Sequence, residues 1–165
     1  MKKRGSTSDF ICDRNRELHG RFIELLRGVS EMPLRDMFGV VAVSAASRFW
    51  VSESRAVAIV GKMLRGEDVG RMYPKRLEMY EEISRRVKKL MTENPGLCLT
   101  HAVNDVVYQE APEFYMTAES VRTVIYRMRR QARAMRKLRA GLARRSTPGC
   151  VFDHCKAATP ATPKF

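Results

Sequence analysis

The apolar positions along the chain recur at helical rather than strand spacing. Leu18, Phe22, Leu25 and Leu26 follow an i, i+4, i+7, i+8 stripe that Val29 extends, with Arg14, Arg16, Arg21 and Glu24 on the other sides, which predicts a helix from Asp9 onward. Pro33 suits the first turn of a second helix, where its missing amide hydrogen would have had no partner. That helix turns Leu34, Met37, Phe38, Val41 and Ala42 inward and fades near Ser44. Ser52 is placed to cap a third helix, with Glu53 at its positive end and Ala56, Ile59, Val60 and Met63 on one face. Gly66 to Gly70 breaks it. Pro74 opens a fourth helix, striped by Tyr80, Ile83, Val87, Leu90 and Met91 and stopped by Asn94-Pro95-Gly96. Leu99, Ala102, Val103, Val106 and Val107 supply a fifth. Thr117 caps a sixth, which buries Val121, Val124, Ile125 and Met128 and, with no glycine stop, runs on to about Arg144.

The same pattern occurs twice, 65 positions apart. Phe49-Trp50-Val51-Ser52-Glu53-Ser54 aligns with Phe114-Tyr115-Met116-Thr117-Ala118-Glu119, and the registration holds upstream without a gap, from Glu17 on Glu82 through Arg21 on Arg86 to Ala46 on Ala111. An internal duplication is therefore predicted. The expected fold is all-α: two tandem three-helix, helix-turn-helix-like units related by duplication, with a long basic C-terminal helix and a disordered tail. The predicted division is a flexible basic arm at 1–8, a first unit at 9–66, a linker at 67–73, a second unit at 74–131, an Arg-rich helical extension at 132–145 and a disordered tail at 146–165.

Charge narrows the class of partner. The chain's 165 residues carry 31 Lys and Arg against 18 Asp and Glu, a formal net charge of +13. Much of the excess is clustered, and the run from Arg127 to Arg145 holds no acidic residue. A polyanion is the expected partner. Met1-Lys2-Lys3-Arg4 is followed by a polar stretch, so no signal peptide is expected, and the longest nearly apolar run, Phe38 to Ala46, is far short of a bilayer span. A cytoplasmic protein without a membrane partner is the expectation. Cys12, Cys98, Cys150 and Cys155 lie too far apart to suggest a compact disulfide framework.

Three consecutive helices, the third capped by a hydroxyl and bearing polar and basic residues, form the pattern of a helix-turn-helix module. Its base-facing candidates are Ser52, Ser54, Arg55 and Ala58 in the first unit and Thr117, Glu119, Arg122, Thr123 and Tyr126 in the second. Arginine can donate two hydrogen bonds to guanine, and hydroxyls are adaptable. The phosphate-binding candidates are Arg127, Arg129, Arg130, Arg133, Arg136, Lys137 and Arg139. The same positions also suit the solvated face of a helical bundle, and the connection from Ser44 to Val51 is longer than the usual helix-turn-helix turn.

Phe49-Trp50 and Phe114-Tyr115 suit core plugs better than stacking platforms for unpaired bases. Met128, Ala132, Met135, Leu138 and Leu142 form a narrow seam that could associate with a second helix. Cys150, His154 and Cys155 lack a fourth ligand and the usual zinc spacing, so neither a metal nor another cofactor is expected. His19 and His101 stand alone. No glycine loop with Lys-Ser/Thr, nucleophile elbow or paired-histidine motif is present, and catalysis is not expected.

Val51-Ser52-Glu53-Ser54-Arg55-Ala56 and Thr117-Ala118-Glu119-Ser120-Val121-Arg122 resemble the recognition-helix segments of helix-turn-helix regulators and the C-terminal promoter-reading region of sigma factors. The wider pattern of Arg48-Phe49-Trp50-Val51-Ser52-Glu53 with Ala111-Pro112-Glu113-Phe114-Tyr115-Met116-Thr117, over about residues 9 to 130, is similar to small basic proteins of gut anaerobic bacteria and their prophages or mobile elements. The first resemblance implies Ser52, Ser54 and Arg55, or Thr117, Glu119, Ser120 and Arg122, at DNA. The second implies a bacterial or phage cytoplasm and no particular activity. Duplex DNA is the expected partner. RNA binding and a protein-binding adaptor role are the alternatives, and the oligomeric state is not specified by the sequence.

Overall fold

Apolar stripes of helical period, punctuated by Pro and Gly, resolve into six α-helices with no strand among the described residues. A computed structural model describes residues 5–29 and 31–145, and the side chains of 10–29 and 31–140. The helices are α1 (Gly5–Gly28), α2 (Leu34–Ala42), α3 (Glu53–Leu64), α4 (Pro74–Glu93), α5 (Leu99–Val107) and α6 (Ala118–Arg145). Residues 1–4 of the arm predicted at 1–8, and the tail predicted at 146–165, including Cys150, His154 and Cys155, lie outside the described residues. α1 begins at Gly5, four residues before the predicted start and inside the stretch expected to be a flexible arm. Extending a formed helix costs far less than nucleating one, and no breaker stands between Gly5 and Asp9.

α2 and α5 each have nine residues and start 65 positions apart (99 − 34), as do α3 and α6 (118 − 53). Their caps differ. Thr117 accepts a bond from the Ser120 amide at 3.2 Å, whereas Ser52 stands at the N-cap of α3 without a side-chain cap bond. The predicted cap at Ser52 is therefore positional only. Gly66 at φ +71° and Gly70 at φ +74° turn the chain between α3 and α4 in a conformation that a β-carbon would strain.

Residues up to Arg130 form one compact unit. Within it α1 packs on α2 and α4 on α5, but α3 packs on α4 and α5. α3 thus packs on helices of the 74–131 stretch rather than on α1 and α2, an exchange of helix partners. α6 in turn reaches the first helix pair, with Tyr126 5.9 Å from Phe38 between ring centroids and the Arg129 guanidinium 5.3 Å above the Phe22 ring. A second unit begins at Gln131, and its described residues, to Arg145, are the continuation of α6.

The exchange is set by the connections before α3 and α6. Ala46 and Ala111, both 1% exposed, form an isolated antiparallel bridge in which each amide donates to the other's carbonyl at 2.9 Å. Two flanking bonds repeat the relation: the Phe49 amide donates to the Val107 carbonyl at 3.1 Å and the Phe114 amide to the Ala42 carbonyl at 3.3 Å. Buried backbone needs partners, and each connection supplies them for the other. Phe49 and Phe114, 0% and 4% exposed, are core plugs as the sequence indicates. Phe49 stacks with Tyr115 at 6.1 Å and carries the Arg86 guanidinium 5.0 Å over its ring.

This interleaving should outlast cleavage of the chain. With a protease site inserted between Glu67 and Asp68, both exposed, the cut halves should co-elute on gel filtration in native buffer and separate only in denaturant. Separate elution in native buffer would show that the halves fold as independent bodies.

Candidate nucleic-acid interface

Both helix starts singled out in the sequence meet the first two turns of α4. At the start of α3, Arg55 lies against the hydroxyl of Tyr80, whose pKa is raised by burial and drawn back by Arg55 and Arg76. At the start of α6, Thr117 and Ser120 share with Lys75, Arg76 and Met79 the wall of a cavity of about 390 Å³. Arg14 of α1 enters the same cavity, and its pKa is lowered by desolvation and by the neighbouring charge of Arg76. Among the described residues, Arg14, Arg55 and Arg76 have no carboxylate within salt-bridge distance. Lys75 is different. It is held by Glu78 at 2.8 Å and Glu113 at 2.9 Å, and both carboxylates raise its pKa. The result is uncompensated positive charge where α1, α3, α4 and α6 approach one another.

The remaining candidates are distributed more widely. Ser54 is exposed and Ser52 half-buried. Glu119 is tied to Arg122 at 3.3 Å, the Arg122 guanidinium lies 5.8 Å over the Tyr126 ring, and the Thr123 hydroxyl donates to the Glu119 carbonyl at 2.9 Å. Glu119, Arg122 and Tyr126 face α2 across a groove of about 830 Å³, whose other wall includes Leu34, Arg35 and Phe38. Arg127 and Arg130 are exposed and Arg129 is half-buried over Phe22. On the helical continuation Arg133, Arg136, Lys137 and Arg139 are exposed, together with Met135 and Leu138 of the apolar seam.

One feature departs from helix-turn-helix geometry. The helix lying against α3 is α5, not α2, because the long connection carries α3 away from its own helix pair. Sequence reasoning also passed over Arg14 and Arg76, which look like ordinary solvated positions on amphipathic helices. Only the tertiary approach of α1 to α4 pairs them.

No protein-family model, curated protein or solved structure matches the chain. Among the described residues no group of His, Cys, Asp or Glu is arranged to hold a metal ion, and no helix is long and apolar enough to cross a membrane.

The connections that flank this region are fixed by side chains. Glu17 of α1 accepts bonds from the Ser47 amide at 2.7 Å, the Ser47 hydroxyl at 2.8 Å and the Trp50 indole N–H at 3.1 Å. The Arg48 guanidinium stacks 4.1 Å over Tyr108, whose hydroxyl donates to Glu53 at the start of α3. On the other connection Arg86 donates to the Glu110 carbonyl at 2.8 Å and to Glu82 at 2.7 Å. Tyr115 lines both the basic cavity and a second one, of about 420 Å³, whose charged residues are Glu78, Glu81, Glu82, Glu113 and Arg85. Burial, then the Glu82 and Glu113 carboxylates, push the Tyr115 hydroxyl up to about 12.

Glu17→Ala should lower stability by about 1.5–3 kcal/mol, the range for hydrogen bonds to a charged group, and alter the emission of Trp50; urea denaturation followed by fluorescence checks both. Tyr115 provides a pH readout. The folded state retains its proton between the unfolded value of about 10 and the folded value of about 12, so unfolding free energy should decline as pH rises through that window. Tyr115→Phe should flatten the decline and remove a late component from the tyrosinate absorbance titration.

Proposed function

We propose that the protein is a duplex DNA-binding protein built from two copies of one helical pattern. The starts of α3 and α6 and the arginines between them approach the duplex, and the Arg-rich continuation of α6 holds phosphates. The observation that carries this reading is the approach of Arg14 to Arg76, and of Arg55 and Arg76 to Tyr80, with none of the three within salt-bridge distance of a carboxylate among the described residues. Mutual repulsion of such charges is relieved by a polyanion, and each phosphate neutralised releases counterions. The paired bonds across Ala46 and Ala111 and the 65-residue offset of the helices support the duplication. Within the proposal Arg55, Ser54, Thr117 and Ser120 sit nearest the bases. Arg122 can also reach DNA by leaving Glu119, since an exposed ion pair is worth only about 0–1 kcal/mol. Arg127, Arg130, Arg133, Arg136, Lys137 and Arg139 supply phosphate contacts, which confer affinity without sequence selection.

A second reading, a protein-binding adaptor, draws on the groove between α2 and α6, where Leu34 is 40% and Tyr126 46% exposed. A role in a prophage or mobile element is consistent with the DNA reading.

Labelled random-sequence duplex and single-stranded RNA, titrated across a salt series, separate these readings. The full chain should bind duplex with a steep negative salt slope. Arg55→Ala with Arg76→Ala should weaken binding and reduce the slope by roughly one to two, about one per lost phosphate contact. Truncation after Gln131 should weaken binding without abolishing it. Preference for RNA would reassign the polyanion, and no binding to either at low salt would favour the adaptor.

A further inference from the structure

The cavity bounded by Arg14, Arg76, Trp50 and Tyr115 carries more than a share of a DNA surface. Its volume of about 390 Å³ falls within the range of roughly 300–1,000 Å³ typical of small-molecule sites. Its wall contains three cations and no carboxylate, and the carboxylates that hold Lys75 leave the two guanidiniums as the unneutralised charge. Arg14 already donates from Nε and Nη2 to Asn15 Oδ1 at 3.3 and 3.0 Å, which anchors its guanidinium and leaves the Nη1–Nη2 edge to a ligand. Arg76, from a different helix, can offer paired N–H donors of the kind a phosphate monoester accepts. The Thr117 and Ser120 hydroxyls, 2.9 Å apart, add polar groups on the α6 side.

The other half of the wall is aromatic. Phe49 is consumed by the core, but Trp50 and Tyr115 are only half-buried and, with Phe114, line the cavity, while Tyr115 stacks on Phe49 and the Arg48 guanidinium lies 5.6 Å over Trp50. The Trp50 indole N–H is already engaged by Glu17, which fixes the orientation of the ring. Cations on one side and planar rings on the other match a ligand with a phosphate and a flat heterocycle. We propose that this cavity binds a nucleoside phosphate, with its base against Trp50 and Tyr115 and its phosphate on Arg14 and Arg76. The nucleotide is either free or the phosphorylated end of a nucleic-acid strand. This site does not depend on duplex binding by the rest of the surface.

Trp50 is the only tryptophan in the chain, so its fluorescence reports directly on the cavity. The full-length protein is titrated with adenosine 5′-monophosphate, adenosine, inorganic phosphate, and single-stranded oligonucleotides with and without a 5′-phosphate. Adenosine 5′-monophosphate should give a saturable change, at least about tenfold tighter than adenosine or phosphate alone, a difference of about 1.4 kcal/mol. Arg76→Gln and Arg14→Gln should each weaken it by about tenfold or more, while Lys88→Gln, an exposed cation outside the cavity wall, leaves it unchanged.

A 5′-phosphorylated oligonucleotide that binds more tightly than the free nucleotide would assign the strand end as the ligand, and the reverse order would assign a free nucleotide. No saturable change with either up to about 10 mM, where binding would be weaker than a functional site requires, would overturn the proposal. Equal affinity for inorganic phosphate, or a response insensitive to both arginine variants whose urea midpoints match the parent, would overturn it as well. Arg133→Gln with Arg136→Gln should lower duplex binding and spare the nucleotide response, so failure of one reading is distinguishable from failure of the other.

Discussion

The reciprocal pairing of two chain connections is the constraint on which the rest of the architecture depends. A connection carrying Ala46 and Phe49 into the interior would leave amides and carbonyls without water. The matching connection at Ala111 and Phe114 has the same need, and the two meet it for each other. Once they lie antiparallel, α3 emerges against α4 and α5 rather than against α2. The hydrophobic faces of α3 and α6 are then buried by helices distant in sequence. Helices that are far apart along the chain then share one core within the unit that ends at Arg130.

The electrostatics follow from the same exchange. α3 brings Arg55 to Tyr80, while α6 brings Thr117 and Ser120 to Arg76, so polar residues from two separated helices share the first turns of α4. The acidic residues of the neighbourhood are engaged elsewhere. Glu17 holds Ser47 and Trp50, Glu82 holds Arg85 and Arg86, and Glu78 and Glu113 hold Lys75. The cavity on one side of Tyr115 is lined by cations without a lining carboxylate, and the one on the other side by four carboxylates, three of them paired with Lys75, Arg85 or Arg86. A nucleic acid or a nucleotide would meet the first side, and the second would repel it.

The helical continuation beyond Arg130 contributes differently. Its arginines are exposed, and its apolar residues Met135 and Leu138 are exposed with them. Such a helix supplies charge density rather than a packed surface, which suits contacts to phosphates. The arginines and rings held by the core are placed differently, with Trp50 bonded to Glu17 and Tyr115 stacked on Phe49.

The number, order and near-boundaries of the helices were legible in the sequence because apolar spacing and Pro and Gly punctuation are local properties. Val60, Val87, Val106 and Ile125 occupy the faces their periodicity predicts. The 65-residue registration was legible too, as was the assignment of Phe49 and Phe114 to the core. The partner of each helix was not. Whether α3 folds back on α2 or crosses to α5 is decided by hydrogen bonds between Ala46 and Ala111, residues whose side chains carry no signal and whose pairing involves only backbone atoms common to all residues. The pairing of Arg14 with Arg76 was equally hidden, since each reads locally as a solvated cation. The sequence by itself determined the helical elements and the excess of positive charge. The tertiary structure alone decided which helices share a core and where that charge is left uncompensated, because both depend on contacts between residues far apart along the chain.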